Sequence, residues 1–489
     1  MLNGSHFLSY AACPRIVFLD LHGDRHRRAP ATEFHVMLGE ESKRHEAEVI
    51  ESLSAHVVSF ERADLASGLR RTREALQDGL PLVAGGVLGQ TDASGRLIGL
   101  AFVDLLERVP GASRFGDFHY EVVEIKRASR GKPSYRMQVA YHSDVLAELQ
   151  GVAPRRGHLI LSDGRRESFD LAPLFPRYRK VLAKLREIDD GAEPPLFVSS
   201  QCASCSWQAV CLPEAEQRSH LSMVFGLSRQ HVETLESHGV HDYHQLARVA
   251  PKRLGGWVRA SESKAREHVA QAKALSSEDV VWRKDAGLPA SDTEIFFDVE
   301  GDPERGVLYL FGVLVRERRL GREIYKPFVA ERPEQEAQAF LECLAFLERY
   351  AKAPIYHYHH YERTVLDRLV ERHGADPLRV ERLGERLCDL SERVSRCCFL
   401  PVRSYSLKSV ARYLGFEWTS AKSSAVQSVV WFTSWQRTGE RVYLERAIEY
   451  NADDCRATRV LKDWLASGPH GQIEIEEDGA LMAPARGLV

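Results

Sequence analysis

The sequence lacks several features that would assign it to a common class. Its 489 residues contain no apolar run of the roughly 18 residues that a membrane-spanning helix needs. They contain no G-x4-G-K-[ST] phosphate loop, which excludes ATP-driven motors of that kind. The N-terminus MLNGSHFLSY has no basic segment before an apolar core, and no low-complexity block occurs. We therefore expect a cytoplasmic globular protein with no membrane partner.

An excess of one charge is also missing. The net charge is −3, with 44% hydrophobic and 28% charged residues, which is ordinary for a globular protein. Attraction to a polyanion would have to come from local basic segments, such as those at 24–28, 68–73 and 126–132. Five of the nine cysteines lie in the second half of the chain. This odd number favours a reducing compartment over disulfides.

The other four cysteines form a spaced group. Cys202, Cys205 and Cys211 stand in a C-x2-C-x5-C run, which offers three thiolates on a short segment. Cys13, in AACPR, is the obvious fourth ligand. Four thiolates bind either zinc or an iron-sulfur cluster, and their spacing does not separate the two.

Between these cysteines lies a possible metal site. Asp104 stands in the apolar segment LAFVDLLER, and Glu124 and Lys126 follow in YEVVEIKRA. Side chains alternate along a strand, so Glu124 and Lys126 share one face. Carboxylates that hold a divalent cation, with a lysine to orient water, are the groups that phosphodiester hydrolysis requires. His45, on a predicted helix, offers an imidazole ligand.

The order of these residues resembles the RecB-type nuclease family of the PD-(D/E)xK superfamily, in its iron-sulfur version. The resemblance covers residues 1–215 and implies a restriction-endonuclease-like α/β domain. It implies that His45, Asp104 and Glu124 bind metal, that Lys126 is the catalytic lysine and Gln138 the family's glutamine, and that Cys13, Cys202, Cys205 and Cys211 hold a 4Fe-4S cluster, with structural zinc as the alternative. One departure is His142, where the family usually has tyrosine.

A second acidic pattern begins about 170 residues further on. The apolar strand TEIFFDVEGDP carries Asp298 and Glu300 on one face, and a helix near the C-terminus places Tyr450 and Asp454 one turn apart. This pattern resembles the DEDD exonucleases of the RNase H-like fold. The resemblance implies two divalent ions, Mg or Mn, held by the carboxylates, and a tyrosine that orients the attacking water.

The middle motif of this second pattern departs from the family. Glu362 occupies the position where the DEDD exonucleases have aspartate, and Asp367 is the weaker candidate. The longer side chain leaves the activity of this site open. The segment RSYSLKSVARYLGF resembles the YprB-like branch of the superfamily over residues 290–465, in which Ser406, Leu407 and Lys408 support the fold or touch substrate.

Three domains are therefore expected in an α/β multidomain protein. They are the RecB-type domain at 1–215, a small helical connector at 216–284 and an RNase H-like DEDD domain at 285–489. The connector's short helices, interrupted at Gly239 and near Pro251, fit either a helix-hairpin-helix module or a plain spacer.

The two resemblances together indicate a RecB-like nuclease family whose relatives are often fused to or encoded with superfamily 1 helicases. We expect a metal-dependent nuclease that acts on nucleic acid, on DNA rather than RNA, as an exonuclease in repair, recombination or defence. The N-terminal site is the better catalytic candidate because its motif is complete. The alternative is a nucleic-acid-binding scaffold subunit without turnover that serves a separate helicase.

Overall fold

The chain forms two compact units. The structure is a computed structural model that describes residues 1–61, 63–302, 305–374, 376–420 and 424–468. One unit comprises Met1–Leu196 and Gln201–Leu212, and the other comprises Phe197–Ser200 and the chain from Pro213 onward. The domain predicted to end at residue 489 thus has a tail that lies outside the described residues. No described helix is both long and apolar enough to cross a bilayer.

The first unit is built on a seven-stranded mixed sheet. Its strands are β1 (Leu2–Asn3), β2 (His56–Val57), β3 (Leu82–Thr91), β4 (Leu97–Ser113), β5 (Gly116–Ile125), β6 (Arg156–Ile160) and β7 (Arg166–Asp170). The order is β2-β3-β4-β5-β6-β7, and β1 pairs with β4. Its helices are α1 (Ser5–Ala12), α2 (Pro14–His22), α3 (Glu33–Ser52), α4 (Leu65–Gln77), α5 (Pro133–Gln150) and α6 (Phe175–Asp189), and α7 (Gln208–Gln217) begins in it.

Local sequence explains the main elements of this sheet. β4 and β5 pair antiparallel with Leu105 opposite Val123, and both side chains are buried. α5 starts with Pro133 at its first position, where no amide hydrogen bond is lost, and ends at Gly151, whose φ of 75° suits glycine. The helix then packs Val139, among other residues, into the core above the sheet. As a result, the ends of β4 and β5 lie close to α5.

The second unit begins with a helical segment. Its helices are α8 (Arg229–Ser237), α9 (Tyr243–Leu246), α10 (Pro251–Val258) and α11 (Glu262–Ser277). Ser228 and Ser261 cap α8 and α11 by accepting hydrogen bonds from backbone amides, each contributing about 1 kcal/mol to helix stability. Gln271 of α11 donates to the carbonyl oxygen of Leu400 at 2.7 Å. This bond ties the helical segment to the rest of the unit.

A five-stranded sheet forms the centre of the second unit. The strands of the unit are β8 (Val281–Trp282), β9 (Thr293–Asp302), β10 (Val307–Glu317), β11 (Arg322–Val329), β12 (Ile355–His357), β13 (Leu387–Asp389) and β14 (Cys398–Phe399). The large sheet has the order β11-β10-β9-β12-β13, and β8 pairs with β14. β9, β10 and β11 are antiparallel, whereas β12 runs parallel to β9 and to β13.

The described part of this unit has seven further helices. They are α12 (Glu336–Glu348), α13 (Tyr361–His373), α14 (Pro377–Gly384), α15 (Leu390–Cys397), α16 (Leu407–Tyr413), α17 (Ala425–Thr438) and α18 (Arg441–Ser467). α18 is the longest and packs across β9 and β10. β10 is buried along most of its length because α12 and α18 both pack against it, which explains its almost continuous apolar sequence.

Two features fix α18 on the sheet. Glu294 of β9 is fully buried and pairs with Lys462 of α18 and with Arg316 of β10. Gly312 of β10 lets the helix approach closely, because a Cβ atom at this position would collide with the side-chain oxygen of Asn451. The helix is therefore held at one end by buried charge and at the other by close packing.

Candidate functional site

The N-terminal acidic residues meet where the middle of β4 lies beside the end of β5. The Lys126 Nζ lies 2.6 Å from Glu124 Oε2 and 3.5 Å from Asp104 Oδ2. The backbone N–H of Ile125 donates to Asp104 Oδ2 at 2.8 Å, and His142 Nδ1 lies 2.8 Å from Glu124 Oε1. The three groups predicted to act together thus lie in one cluster, where the ammonium group bridges the two carboxylates.

The two carboxylates of this cluster have opposite pKa shifts because their charged neighbours differ. Burial opposes ionisation of Glu124, but Lys126 and His142 outweigh it and lower the pKa of Glu124 to about 2. Burial and the neighbouring Glu124 raise the pKa of Asp104 well above its usual value. Burial would lower the pKa of Lys126, but the two carboxylates raise it instead. Glu124 is thus the permanent anion of the cluster, and Asp104 is the group that gains most from an added cation.

Two predicted residues beside this cluster have unmatched polar atoms. His45 Nε2 on α3 and Gln138 Oε1 on α5 are both buried without a hydrogen-bond partner among the described residues. Buried polar atoms are rarely left unpaired, so both fit ligands or substrate contacts. Sequence reasoning overlooked Glu46, next to His45, whose pKa is raised by burial and which acts electrostatically on Asp104. It also treated His142 only as a departure, although its ring contacts Glu124.

The four cysteines also come together. Cys13 lies between α1 and α2, and the backbone N–H of Cys205 donates to the carbonyl oxygen of Cys202 at 3.2 Å. Burial raises the pKa of the Cys211 thiol to about 11, and the other three cysteines add to the rise. All four are free thiols. They therefore lie within electrostatic range of one another, although no three of their sulfur atoms are all within 4.8 Å in the described part of the chain.

The C-terminal acidic residues form the tightest ligand group. Asp298 and Glu300 on β9 and Asp454 on α18 each place a carboxylate oxygen within 4.8 Å of the others. Glu300 and Asp454 are buried, and Asp298 is half-buried. In the described residues, no ion pair joins these three to a cationic side chain, in contrast to the lysine-bridged pair of the first unit. Three grouped carboxylates, two of them buried, without a paired cation fit a divalent metal ion.

Neutral side chains orient these carboxylates. Asn451 Nδ2 donates to Asp298 Oδ2 at 2.7 Å, and Trp418 Nε1 donates to Asp454 Oδ1 at 2.7 Å. Tyr450 hydrogen-bonds to Asp454, four residues further along α18. Burial and Asp454 raise the pKa of Tyr450 well above its usual value, so the phenol remains a neutral donor. Asn451 and Trp418 were not predicted, because their contacts depend on how α18 and the 414–418 turn pack.

Glu362 lies near this group but outside it. Its Oε2 is 3.2 Å from His357 Nδ1, and its charge acts on Asp298 and Glu300. Burial raises the pKa of Glu362. The alternative candidate, Asp367, is exposed to solvent. Glu362 therefore acts on the group electrostatically but is not one of its three grouped ligands.

The pKa values of the C-terminal group predict that divalent-ion binding depends on pH. Burial raises the pKa of Asp454 to about 7 from its usual 3.8. A pKa above the unfolded value means that the metal-free fold loses stability as pH rises from about 4 through 7. Metal binding requires the ionised carboxylates, and burial raises the pKa values of Asp298 and Glu300 as well, so Mg²⁺ or Mn²⁺ affinity should rise at least about tenfold per pH unit below about 7.

Calorimetry in buffers of different ionisation enthalpy measures this proton release directly. The Asp292→Asn variant is the control, since it changes an exposed carboxylate just before β9 and should keep the proton release. An affinity that stays constant between about pH 5 and 8 would contradict the raised pKa.

Comparison with known proteins agrees with the C-terminal geometry. Residues 295–466 match the family model RNase_H_2, which belongs to the RNase H superfamily. The matched region contains most of β9 and almost all of α18, and hence the three grouped carboxylates. No curated protein matches the chain. The protein is thus a mixed α/β multidomain chain with an RNase H-like domain at its C-terminal end, as predicted for that part.

Proposed function

We propose that this protein is a metal-dependent nuclease whose C-terminal unit carries the main active site. The observation behind this proposal is the group of Asp298, Glu300 and Asp454, three carboxylates within 4.8 Å inside a region that matches the RNase H superfamily. Divalent ions bound there would polarise a phosphodiester, lower the pKa of water and neutralise developing charge. Completeness of the motif favours the N-terminal site, whereas the geometry favours this one.

The protein's own residues have distinct tasks in this proposal. Asn451 holds the Asp298 carboxylate in position, and Trp418 does the same for Asp454. Tyr450 stays protonated and donates to Asp454, so its hydroxyl oxygen can accept a hydrogen bond from an attacking water beside that carboxylate. Glu362, oriented by His357, would supply negative charge for a second ion. These groups fix the geometry before substrate arrives, which is how preorganised sites lower a barrier.

The first unit is proposed to hold a second, PD-(D/E)xK-type nuclease site. His45, Asp104 and Glu124 would bind Mg or Mn, and Lys126 would act on water or the scissile phosphate. The unpaired buried atoms of His45 and Gln138 support this assignment. Binding of an ion requires Lys126 to release at least one carboxylate, since its ammonium group now bridges both. Replacing Lys126 with alanine should therefore preserve or strengthen metal binding while abolishing cleavage at this site.

The four cysteines are proposed to hold a 4Fe-4S cluster. The resemblance to the iron-sulfur version of the RecB-type family supports a cluster, in which each thiolate would bind a different iron atom. The proposal thereby joins Cys13, near the N-terminus, to the C-x2-C-x5-C segment.

This cluster can be tested by analysis of anaerobically purified protein. We expect about four iron and four sulfide per chain, and we expect Cys205→Ala to lose both and to unfold at lower temperature. Cys343→Ala, which changes a buried cysteine of the other unit, is the matched control and should keep the iron. Stoichiometric zinc without iron would instead support the structural zinc alternative.

The proposed substrate is DNA. The protein would degrade it as an exonuclease in repair, recombination or defence. A superfamily 1 helicase is the proposed partner, because relatives in the RecB-like family that the sequence resembles are often fused to or encoded with one. The deciding assay uses end-labelled single- and double-stranded DNA and RNA with Mg²⁺ or Mn²⁺. It compares wild type with Asp104→Asn, Asp298→Asn and the double variant. Loss of cleavage only in Asp104→Asn would move the activity to the first unit, and binding without cleavage by wild type would support the scaffold alternative.

A further inference from the structure

An exposed aromatic ring stands out on the surface of the second unit. Phe225 is 52% exposed, although Val224 and Leu227 on either side of it are buried. Gly226 has a φ of 87°, which allows the sharp turn that directs Phe225 outward. The buried neighbours hold the turn in place, so the ring is exposed on a fixed support. A single exposed ring is common on protein surfaces, so its contact with Tyr405 and the cations near Tyr405 are what distinguish this one.

The ring of Phe225 packs against Tyr405, which is itself held by several hydrogen bonds. Phe225 contacts Tyr405 with ring centroids 4.9 Å apart. The Tyr405 hydroxyl group donates to Gln271 Oε1 at 2.6 Å and accepts from the backbone N–H of Leu400 at 2.9 Å. The Tyr405 carbonyl oxygen accepts from the hydroxyl group of Tyr358. Tyr405 is thus fixed at both its side chain and its backbone.

Positive charge lies on the same segment as Tyr405. Arg403, Lys408 and Arg412 have no ion pair with a carboxylate in the described residues. Lys408 Nζ lies 5.3 Å from the ring centroid of Trp418, whose indole N–H donates to Asp454. Cationic side chains without a carboxylate partner therefore lie on the segment that links the Phe225–Tyr405 pair with the neighbourhood of Asp454.

We propose that Phe225, Tyr405, Arg403, Lys408 and Arg412 form a strand-binding surface that guides single-stranded nucleic acid into the carboxylate site. Phe225 stacks on an unpaired base, and the cations bind the phosphates that follow it. Single-strand binding proteins combine the same two elements, because every base has a face that can stack. The inference deepens the proposed function, since it assigns that site a single-stranded end. It also gives the helical segment before β8 a role in substrate binding.

The test measures binding of fluorescein-labelled oligothymidylate by anisotropy, with Ca²⁺ in place of Mg²⁺. We expect Phe225→Ala to weaken binding about tenfold and Phe225→Trp to restore it. Leu320→Ala is the matched control, because Leu320 is 71% exposed in the same unit but lies after β10, away from this segment. Strands with single abasic positions then test stacking: one position should weaken binding to wild type about tenfold yet leave binding to Phe225→Ala unchanged.

Charge is tested separately by salt dependence. Arg403→Gln and Arg412→Gln should each reduce the slope of log affinity against log salt by about 0.7. Unchanged binding by Phe225→Ala, or the same abasic penalty in that variant and wild type, would overturn the strand-binding surface even if the enzyme cleaves DNA. Conversely, Phe225-dependent binding without cleavage would retain the surface and overturn the proposed catalysis.

Discussion

Asp298→Asn is expected to abolish cleavage by the C-terminal unit, with a loss of at least about a thousandfold, while the domain stays folded. The carboxylate of Asp298 is one of three metal ligands, and several kcal/mol of transition-state stabilisation depend on them. The amide oxygen can still accept the hydrogen bond from Asn451. The substitution also removes one charge from a buried group of like charges, so the metal-free variant should be at least as stable as wild type.

Two measurements separate this effect from misfolding. The cleavage rate of a labelled strand at saturating Mg²⁺ gives the loss of activity, and calorimetry without metal gives the stability. Asp292→Asn is the matched control, since Asp292 lies just before β9 and is exposed. Retention of more than about a tenth of the wild-type rate would exclude Asp298 as a ligand of the catalytic ion.

Glu294→Gln is expected to destabilise the second unit by about 3–5 kcal/mol, because it leaves buried cations without their shared partner. Glu294 is fully buried and pairs with Lys462, Arg316 and Arg318, and Lys462 is only 3% exposed. Its partner Arg316 keeps its pair with Asp463 at 2.7 Å, but Lys462 retains only a distant contact with that residue. The loss therefore falls mainly on α18.

Chemical denaturation of the full chain, followed by tryptophan fluorescence, measures the change. Trp464 on α18 and Trp282 stack with ring centroids 5.0 Å apart, so the signal reports on this helix. Asp292→Asn breaks an exposed pair with Arg319 and should cost less than about 1 kcal/mol. A loss of similar size in both variants would show that the Glu294 network contributes little. Metal affinity should also fall in Glu294→Gln, since α18 carries Asp454.

Sequence periodicity was sufficient to predict which site residues lie together within a single strand or helix. Alternation along a strand places Asp298 and Glu300 on one face, and a spacing of four residues puts Tyr450 beside Asp454. Both relations hold in the structure, and the family match confirms the RNase H-like domain around them. The N-terminal assignment and the role of the cysteines remain predictions.

Contacts between distant elements could not be read from the sequence. Asn451 reaches Asp298 only because α18 lies across β9 at one particular register, and no local pattern encodes that register. The ring of His142 contacts Glu124 because α5 packs against the sheet. The same limit applies to the middle motif. The sequence offered both Glu362 and Asp367, and only the packing of α13 shows that Glu362 is buried and Asp367 is exposed.

The close approach at Gly312 has a consequence for how this protein can vary. Gly312 lies opposite Asp298 in the sheet and contacts no substrate in the proposed mechanism. Even a single methyl group there would displace the Asn451 side chain, and with it the hydrogen bond that orients Asp298. A replacement would therefore resemble a mutation of the active site in its effect, although it changes only the backbone support behind it. We therefore expect active relatives of this domain to keep glycine at this position of β10.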